Sequence, residues 1–272
     1  MRAAARRRAG RWAAPLALLI ALVGLWELAA RTGIMADVLN LDSFLVPAPS
    51  EIGTSLWEDR SLLAESAWVT LREVLIGFGI ALVLGAAIAT LLHLSPLLRR
   101  ASYPLVVATQ AIPIVVVAPI LVVWFGFGIG PKIAIVALLC FFPIVVNALD
   151  GLATADREQR RLMRSLGADR LRVFALLEVP TALPYLLSGA KVAVAVAVIG
   201  AVFGEWAGSD AGLGHLVQLD TGQLEVARVF ASVLLLSAMA IVLFAALAAI
   251  ERRLAWWGDG PRTTRRERKA MR

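Results

Sequence analysis

Lys191 and Glu205 are the two ionisable residues that interrupt an otherwise apolar interior in this chain. A charge at the centre of a membrane helix costs about 2.5–3.5 kcal/mol on insertion scales, so each needs a physical reason. Lys191 follows Pro184 by about two helical turns, close enough for its long stem to carry the ammonium to the inner interface; that reading is preferred to a substrate contact. Glu205, beside Trp206, falls where the same helix leaves the membrane, and could cap the adjoining loop or line an outer gate. A proton-driven carrier would be expected to hold more interior carboxylates than Glu27, Glu73 and Glu205, all of which sit near outer ends.

Other chemistry is excluded by residue type and spacing. The only lysines are Lys132, Lys191 and Lys269, so the chain has no GxxxxGKS or GxxxxGKT phosphate loop. Gly212-Leu213-Gly214 is too short for a nucleotide fingerprint. His93 and His215 fall on opposite sides of the membrane and make neither a dyad nor a metal pair. Cys140, the single cysteine, reads as a buried, inert thiol. No nucleophile–base pair is present, and the chain is not read as an enzyme by itself.

The elements that must position these residues are membrane helices. With 60% hydrophobic residues in 272, the chain is more apolar than soluble domains, so the bilayer is its expected solvent. Apolar runs near 13–30, 69–92, 104–125, 132–149, 182–204 and 228–250 each approach the roughly 20 residues that cross about 30 Å of hydrocarbon. If all cross, 21 of the 27 Lys and Arg lie on one side, which puts both termini in the cytoplasm. The net charge of +7 then reads as an orientation signal and a lipid-headgroup contact, not as a nucleic-acid surface. Trp12–Ala30 follows a cluster of arginines like a secretory signal but lacks an Ala-x-Ala cleavage pattern, and is read as an uncleaved first membrane helix.

Two rows of small residues recur at four-residue spacing: Gly77, Ala81, Gly85 and Ala89, and Gly189, Ala193, Ala197 and Ala201. Such rows let backbones approach closely where no hydrophobic force drives helices together, so the second and fifth helices are expected in the bundle interior. Pro113 and Pro119 in the third run and Pro143 in the fourth fit either broken helices along a pathway or plain kinks, with Thr109, Gln110 and Asn147 as nearby polar groups. Outside the membrane, residues 31–66 are polar and acidic, with an interfacial helix expected after Ser50. Gly126 to Pro131 reads as a tight outer turn and 205–226 as a longer outer loop.

Asp156 to Pro184 is the one long charged insert between spans. Asp156 with Gln159 fits an N-cap and its reciprocal partner. Leu162, Met163 and Leu166 then share a face, with Arg157, Arg160, Arg161 and Arg164 elsewhere. Gly167 suits the left-handed position that ends a helix, and Asp169 can cap a second one carrying Leu171, Phe174 and Leu177. Pro180 and Pro184 are expected to reset the chain's direction, which gives two short helices on the membrane surface. The first offers an apolar knob ringed by arginines; a groove on a cytoplasmic partner and an anionic lipid surface both fit it.

The distance from Gly167 to Pro180 resembles the conserved loop of ABC importer permeases, E-A-A-x-x-x-G followed by nine residues and I-x-L-P. Leu177-Glu178-Val179-Pro180 holds the second half, while the glutamate–alanine–alanine positions are Arg161, Leu162 and Met163, a departure. Leu45-Val46-Pro47-Ala48-Pro49-Ser50 is similar to the outer L-P-x-P-S element of the nitrate, sulfonate and taurine permeases. Thr70-Leu71-Arg72 with Gly77 and Gly85 resembles that group's second helix, and Gly204-Glu205-Trp206-Ala207-Gly208 with Gly212-Leu213-Gly214 its outer loop. Gln110-Ala111-Ile112-Pro113 and Phe141 to Asn147 look most like permeases for the pyrimidine precursor of thiamine, with riboflavin-type permeases similar.

The resemblance implies an all-α polytopic membrane protein of about six transmembrane helices with a cytoplasmic coupling helix, the type I importer permease architecture. Its parts would be a basic N-terminus (1–12), a permease domain (13–257, coupling loop 150–180) and a basic tail (258–272). It further implies a homodimer in the bacterial cell membrane, two ABC ATPase subunits that use ATP and Mg, and an extracytoplasmic solute-binding protein, with no cofactor on this chain. Arg161, Leu162, Met163, Arg164, Leu166, Gly167 and Ala168 would couple to the ATPase. Gln110, Pro113 and Asn147 would line the path, and Glu205 and Trp206 the outer gate or loop. An ion-driven carrier or channel, and a membrane scaffold, are the readings from other classes.

Overall fold

The computed structural model describes residues 2–254, with side chains from Pro15 onward except those of residues 16, 39 and 43. Among the described residues the regular structure is entirely helical. The helices are α1 (Arg2–Arg31), α2 (Ile34–Leu39), α3 (Pro49–Glu58), α4 (Arg60–Leu94), α5 (Pro96–Ala108), α6 (Ile114–Phe125), α7 (Ile129–Ala153), α8 (Arg157–Ser165), α9 (Arg170–Val173), α10 (Val179–Gly208), α11 (Leu213–Gln223) and α12 (Val226–Leu254). The expected tail from Gly258 lies outside the described residues.

Among the described residues, four helical stretches are long and apolar enough to cross a membrane: Arg60–Leu94, Ile129–Ala153, Arg170–Gly208 and Val226–Leu254. The third apolar run is not one straight helix. Pro96–Ala111 and Ile114–Phe125 meet at 101°, a bend that fits a broken span or a re-entrant loop. The physical cause lies at Pro113, which lacks an N–H and holds Ile112 extended at φ −81°, ψ 117°. Pro119 and Pro143, by contrast, sit inside continuous helices. The expected first span is helical, as α1, but is not among these stretches, so the described residues give four spans, or five with the bent pair, against the six expected.

The small-residue rows do what their spacing predicts, with one addition. Both face α7, which is the centre of the bundle, with α4 on one side and α10 on the other. A Cβ added at Gly85 would lie 2.7 Å from Ile144 Cγ2, and one at Gly189 would lie 2.6 Å from the Pro143 carbonyl. Into these flat faces α7 sets Val136, Cys140 and Ile144, all fully buried beside Ala81, Ala193, Ala197 and Ala201. A second cluster (Ala89, Leu92, Val106, Val145, Leu149) carries the core to the end bearing Arg99 and Arg100, called the basic end below. A third (Ile52, Leu63, Leu213, Leu216, Ala231) closes the opposite end.

Three boundaries differ from expectation. The helix after Ser50 exists as α3, but α4 starts at Arg60 and runs past the apolar stretch by more than two turns. Residues 205–226 are not simply a loop, because Leu213–Gln223 fold as α11. The second short helix of the insert is instead the first turn of the fifth span, continuous from Arg170 to Gly208. One wide turn at Phe174–Glu178, where Val179 N–H reaches back to the Phe174 carbonyl, absorbs Pro180 without breaking the helix.

Candidate functional site

At the basic end, α8 ends as the sequence predicts. Asp156 caps it by accepting from the Glu158 amide at 2.8 Å. Its C-terminus is a Schellman turn: Gly167, at φ 85°, donates to the Arg164 carbonyl, and Ala168 donates to the Met163 carbonyl at 2.9 Å. Asp169 then accepts from the Arg172 amide at 2.8 Å and starts α9. The result is a short helix projected away from the bundle, with no buried residue. Leu162 and Leu166 are 60% and 78% exposed, Arg161 and Arg164 are exposed, and Met163 and Ala168 are half-buried. An apolar knob with arginines around it is therefore open to a partner.

The attachment of α8 to the bundle uses residues the sequence reading did not single out. Arg160 donates to the Leu152 carbonyl and pairs with Glu178 at 2.9 Å. The other Glu178 oxygen meets His93 Nε2 at 2.8 Å. Arg170 donates to the Leu94 carbonyl. The only signal in the sequence was the glutamate inside Leu177-Glu178-Val179-Pro180, an acid where an apolar run begins.

At the opposite end, Glu205 caps a helix. Its Oε2 accepts from the amides of Gly214 (2.5 Å) and His215 (3.0 Å), and its Oε1 accepts from the Thr70 hydroxyl at 2.6 Å. Thr70 Oγ1 in turn accepts from the Leu213 amide at 2.8 Å. The first three amides of α11 are thus satisfied by side chains from α10 and α4, and a carboxylate there also suits the helix dipole. Gly212 sits at φ 117°, where a Cβ would fall on the Glu205 carboxylate. Trp206, 45% exposed, donates to the Gly214 carbonyl at 2.8 Å and packs edge-on against Phe203. These contacts are those of the cap, one of the two roles the sequence left open for Glu205.

Two further ion pairs join helices, Lys132–Glu73 buried and Lys191–Glu251 half-buried. Lys132 reaches Glu73 Oε1 at 2.8 Å and Ser209 at 2.5 Å, joining α7 to α4 and to the end of α10. Opposite charges at one depth in different spans were the available signal, and it was missed. Lys191 pairs at 2.5 Å with Glu251, in the last turn of α12 beside Arg252 and Arg253, with both side chains part-exposed.

The expected path residues are only partly assembled. Gln110 lies exposed in the Thr109–Ala111 turn at the break, beside Pro113, and that turn packs against α7. Asn147 is half-buried on α7 and donates to the Pro143 carbonyl of its own helix at 2.7 Å.

Comparison with known proteins places this arrangement. Residues 81–256 match the family model described as binding-protein-dependent transport system inner membrane component. The chain belongs to that family. Members are permease subunits of ABC importers and not enzymes themselves. The formylaminopyrimidine transport permease protein ThiX of Halalkalibacterium halodurans is 37% identical over 89% of this chain and 95% of its own length. The riboflavin transport system permease protein RibX of Chloroflexus aurantiacus is 31% identical over 79% of this chain and 81% of its own. The taurine permease TauC of Escherichia coli is 27% identical over 82% and 84%. An inward-facing structure of the MetNI methionine ABC transporter superposes with a TM-score of 0.64 at 20% identity, covering 72% of this chain and 98% of that one, a likeness of fold. The chain is therefore an ABC importer permease with a type I fold.

Proposed function

We propose that this permease works as a homodimer in the bacterial cell membrane, with both termini and α8 in the cytoplasm. It would be driven by two ABC ATPase subunits that use ATP and Mg, and be fed by an extracytoplasmic binding protein. The carrying observation is α8, a helix with no buried residue held out by a Schellman turn, its leucines exposed. Arg161, Leu162, Met163, Arg164, Leu166, Gly167 and Ala168 form the docking element in this reading. The path runs past the Thr109–Pro113 break, with Gln110, Pro113 and Asn147 beside it. The exposed apolar faces of α6 and α12 are free for lipid and for the second copy, with Val123 81% and Ile241 68% exposed.

The proposed solute is a formylaminopyrimidine-like precursor, supported by the higher identity to the pyrimidine permease than to the riboflavin or taurine relatives. The test is uptake into proteoliposomes containing the permease, its ATPase and its binding protein. ATP-dependent accumulation of formylaminopyrimidine is expected. Uptake by the permease alone would instead make it a carrier or channel. A binding protein stabilised against heat by riboflavin or taurine, but not by the pyrimidine, would reassign the solute.

A further inference from the structure

The Glu178 carboxylate joins three elements. Its side chain is 11% exposed and lies at the end of the one wide turn in the fifth span. One oxygen meets Arg160 of α8 and the other meets His93, in the last turn of α4. Arg160 differs from the other arginines of its helix. Arg157, Arg161 and Arg164 are exposed, whereas the Arg160 side chain is 24% exposed and turned back to the bundle, where it also donates to the Leu152 carbonyl at the end of α7. The surrounding helix ends are locked together, since a Cβ at Gly151 would lie 2.7 Å from Tyr185 Cβ.

We propose that the Arg160–Glu178–His93 linkage is the contact through which a displacement of α8 is passed to α4 and α10. This inference rests on the docking role assigned to α8 above. The face of α8 turned outward meets the ATPase, and Arg160 on its inner side carries the motion. A partly buried ion pair transmits displacement in both directions, because separating it leaves a charge without its partner in a poorly hydrated place. A turn with widened hydrogen bonding beside it supplies a point where α9 can tilt relative to α10 without unwinding either. Glu178, Arg160 and His93 are positioning residues, which touch neither solute nor nucleotide.

The test uses the complete complex in nanodiscs, with the binding protein as isolated, and reads how far that protein stimulates ATP hydrolysis. Glu178→Gln and Arg160→Met should co-purify with the ATPase and keep basal hydrolysis, yet lose about 2- to 30-fold of the stimulation, the range for residues that carry coupling between distant sites. The double variant Arg160→Met/Glu178→Met leaves neither buried charge alone, so it guards against misfolding; it should assemble and be uncoupled. His93→Gln, which keeps an N–H donor, should retain stimulation, and His93→Leu should lose it. Full stimulation in the double variant would overturn the proposal, as would parallel loss of basal and stimulated hydrolysis in every variant. A wild-type chain that fails to bind an ATPase would overturn the docking role itself, and the proposal with it.

Discussion

Glu205 shows how one side chain can hold three helices in register. It sits on α10, binds Thr70 of α4 and receives the first turn of α11. Glu205→Gln keeps the shape but exchanges a charged acceptor for an amide, and should destabilise the purified protein by about 1–3 kcal/mol, the range for hydrogen bonds to a charged group. Gly212→Ala should cost a similar amount, about 1–3 kcal/mol, because its backbone lies at φ 117° and its new methyl meets the Glu205 carboxylate. Thermal unfolding in detergent would measure both, and an unchanged midpoint for Gly212→Ala would contradict the geometry. The Lys132–Glu73 pair gives a sharper contrast. Lys132→Met alone leaves a buried carboxylate and should cost about 3–5 kcal/mol, whereas Lys132→Met/Glu73→Met should recover most of that loss.

At the scale of elements, α8 depends on its end more than on its length. No neighbouring atom approaches a Cβ at Gly167, so the difficulty for any other residue is φ 85° alone. Gly167→Val should therefore distort the Schellman turn at a cost of about 1–2 kcal/mol, while Gly167→Asn should be milder because asparagine tolerates that region. The expected functional result is ATP hydrolysis that continues while uptake falls, in the order Gly, Asn, Val. Equal uptake by all three would show that the aim of α8 is unimportant. The Thr109–Pro113 break has the opposite logic, since Pro113 enforces a bend of 101° between two apolar helices. Pro113→Ala restores a donor and frees Ile112, so solute uptake should drop with ATPase binding intact.

Across the whole molecule, the bundle is built around a helix whose own pattern looks ordinary. The row residues of α4 and α10 are flat, and α7 fills the space between them with branched side chains and the Cys140 thiol. Gly85→Leu places a large side chain where even a Cβ would lie 2.7 Å from Ile144 Cγ2. Overpacking of this kind costs about 1–3 kcal/mol and should lower the yield of folded protein in membranes. A matching Ile144→Ala in the same chain should recover part of it, which fluorescence-detected size exclusion would show.

The sequence by itself determined what is written in local covalent terms. Composition made the chain a membrane protein, the small-residue rows marked two packing faces, and Asp156, Gly167 and Asp169 placed the start, the end and the restart of the charged insert. Each of these rests on one residue's dihedral preference, its cap or its transfer energy, all of which act within a few positions. Partners separated along the chain were settled only by tertiary structure. Thr70 lies 135 residues from Glu205, and His93 lies 85 from Glu178. Lys191 and Glu251 are likewise 60 residues apart. A buried charge announces in sequence that it needs a partner; which partner it takes depends on the depth and facing of helices, fixed only when the bundle packs.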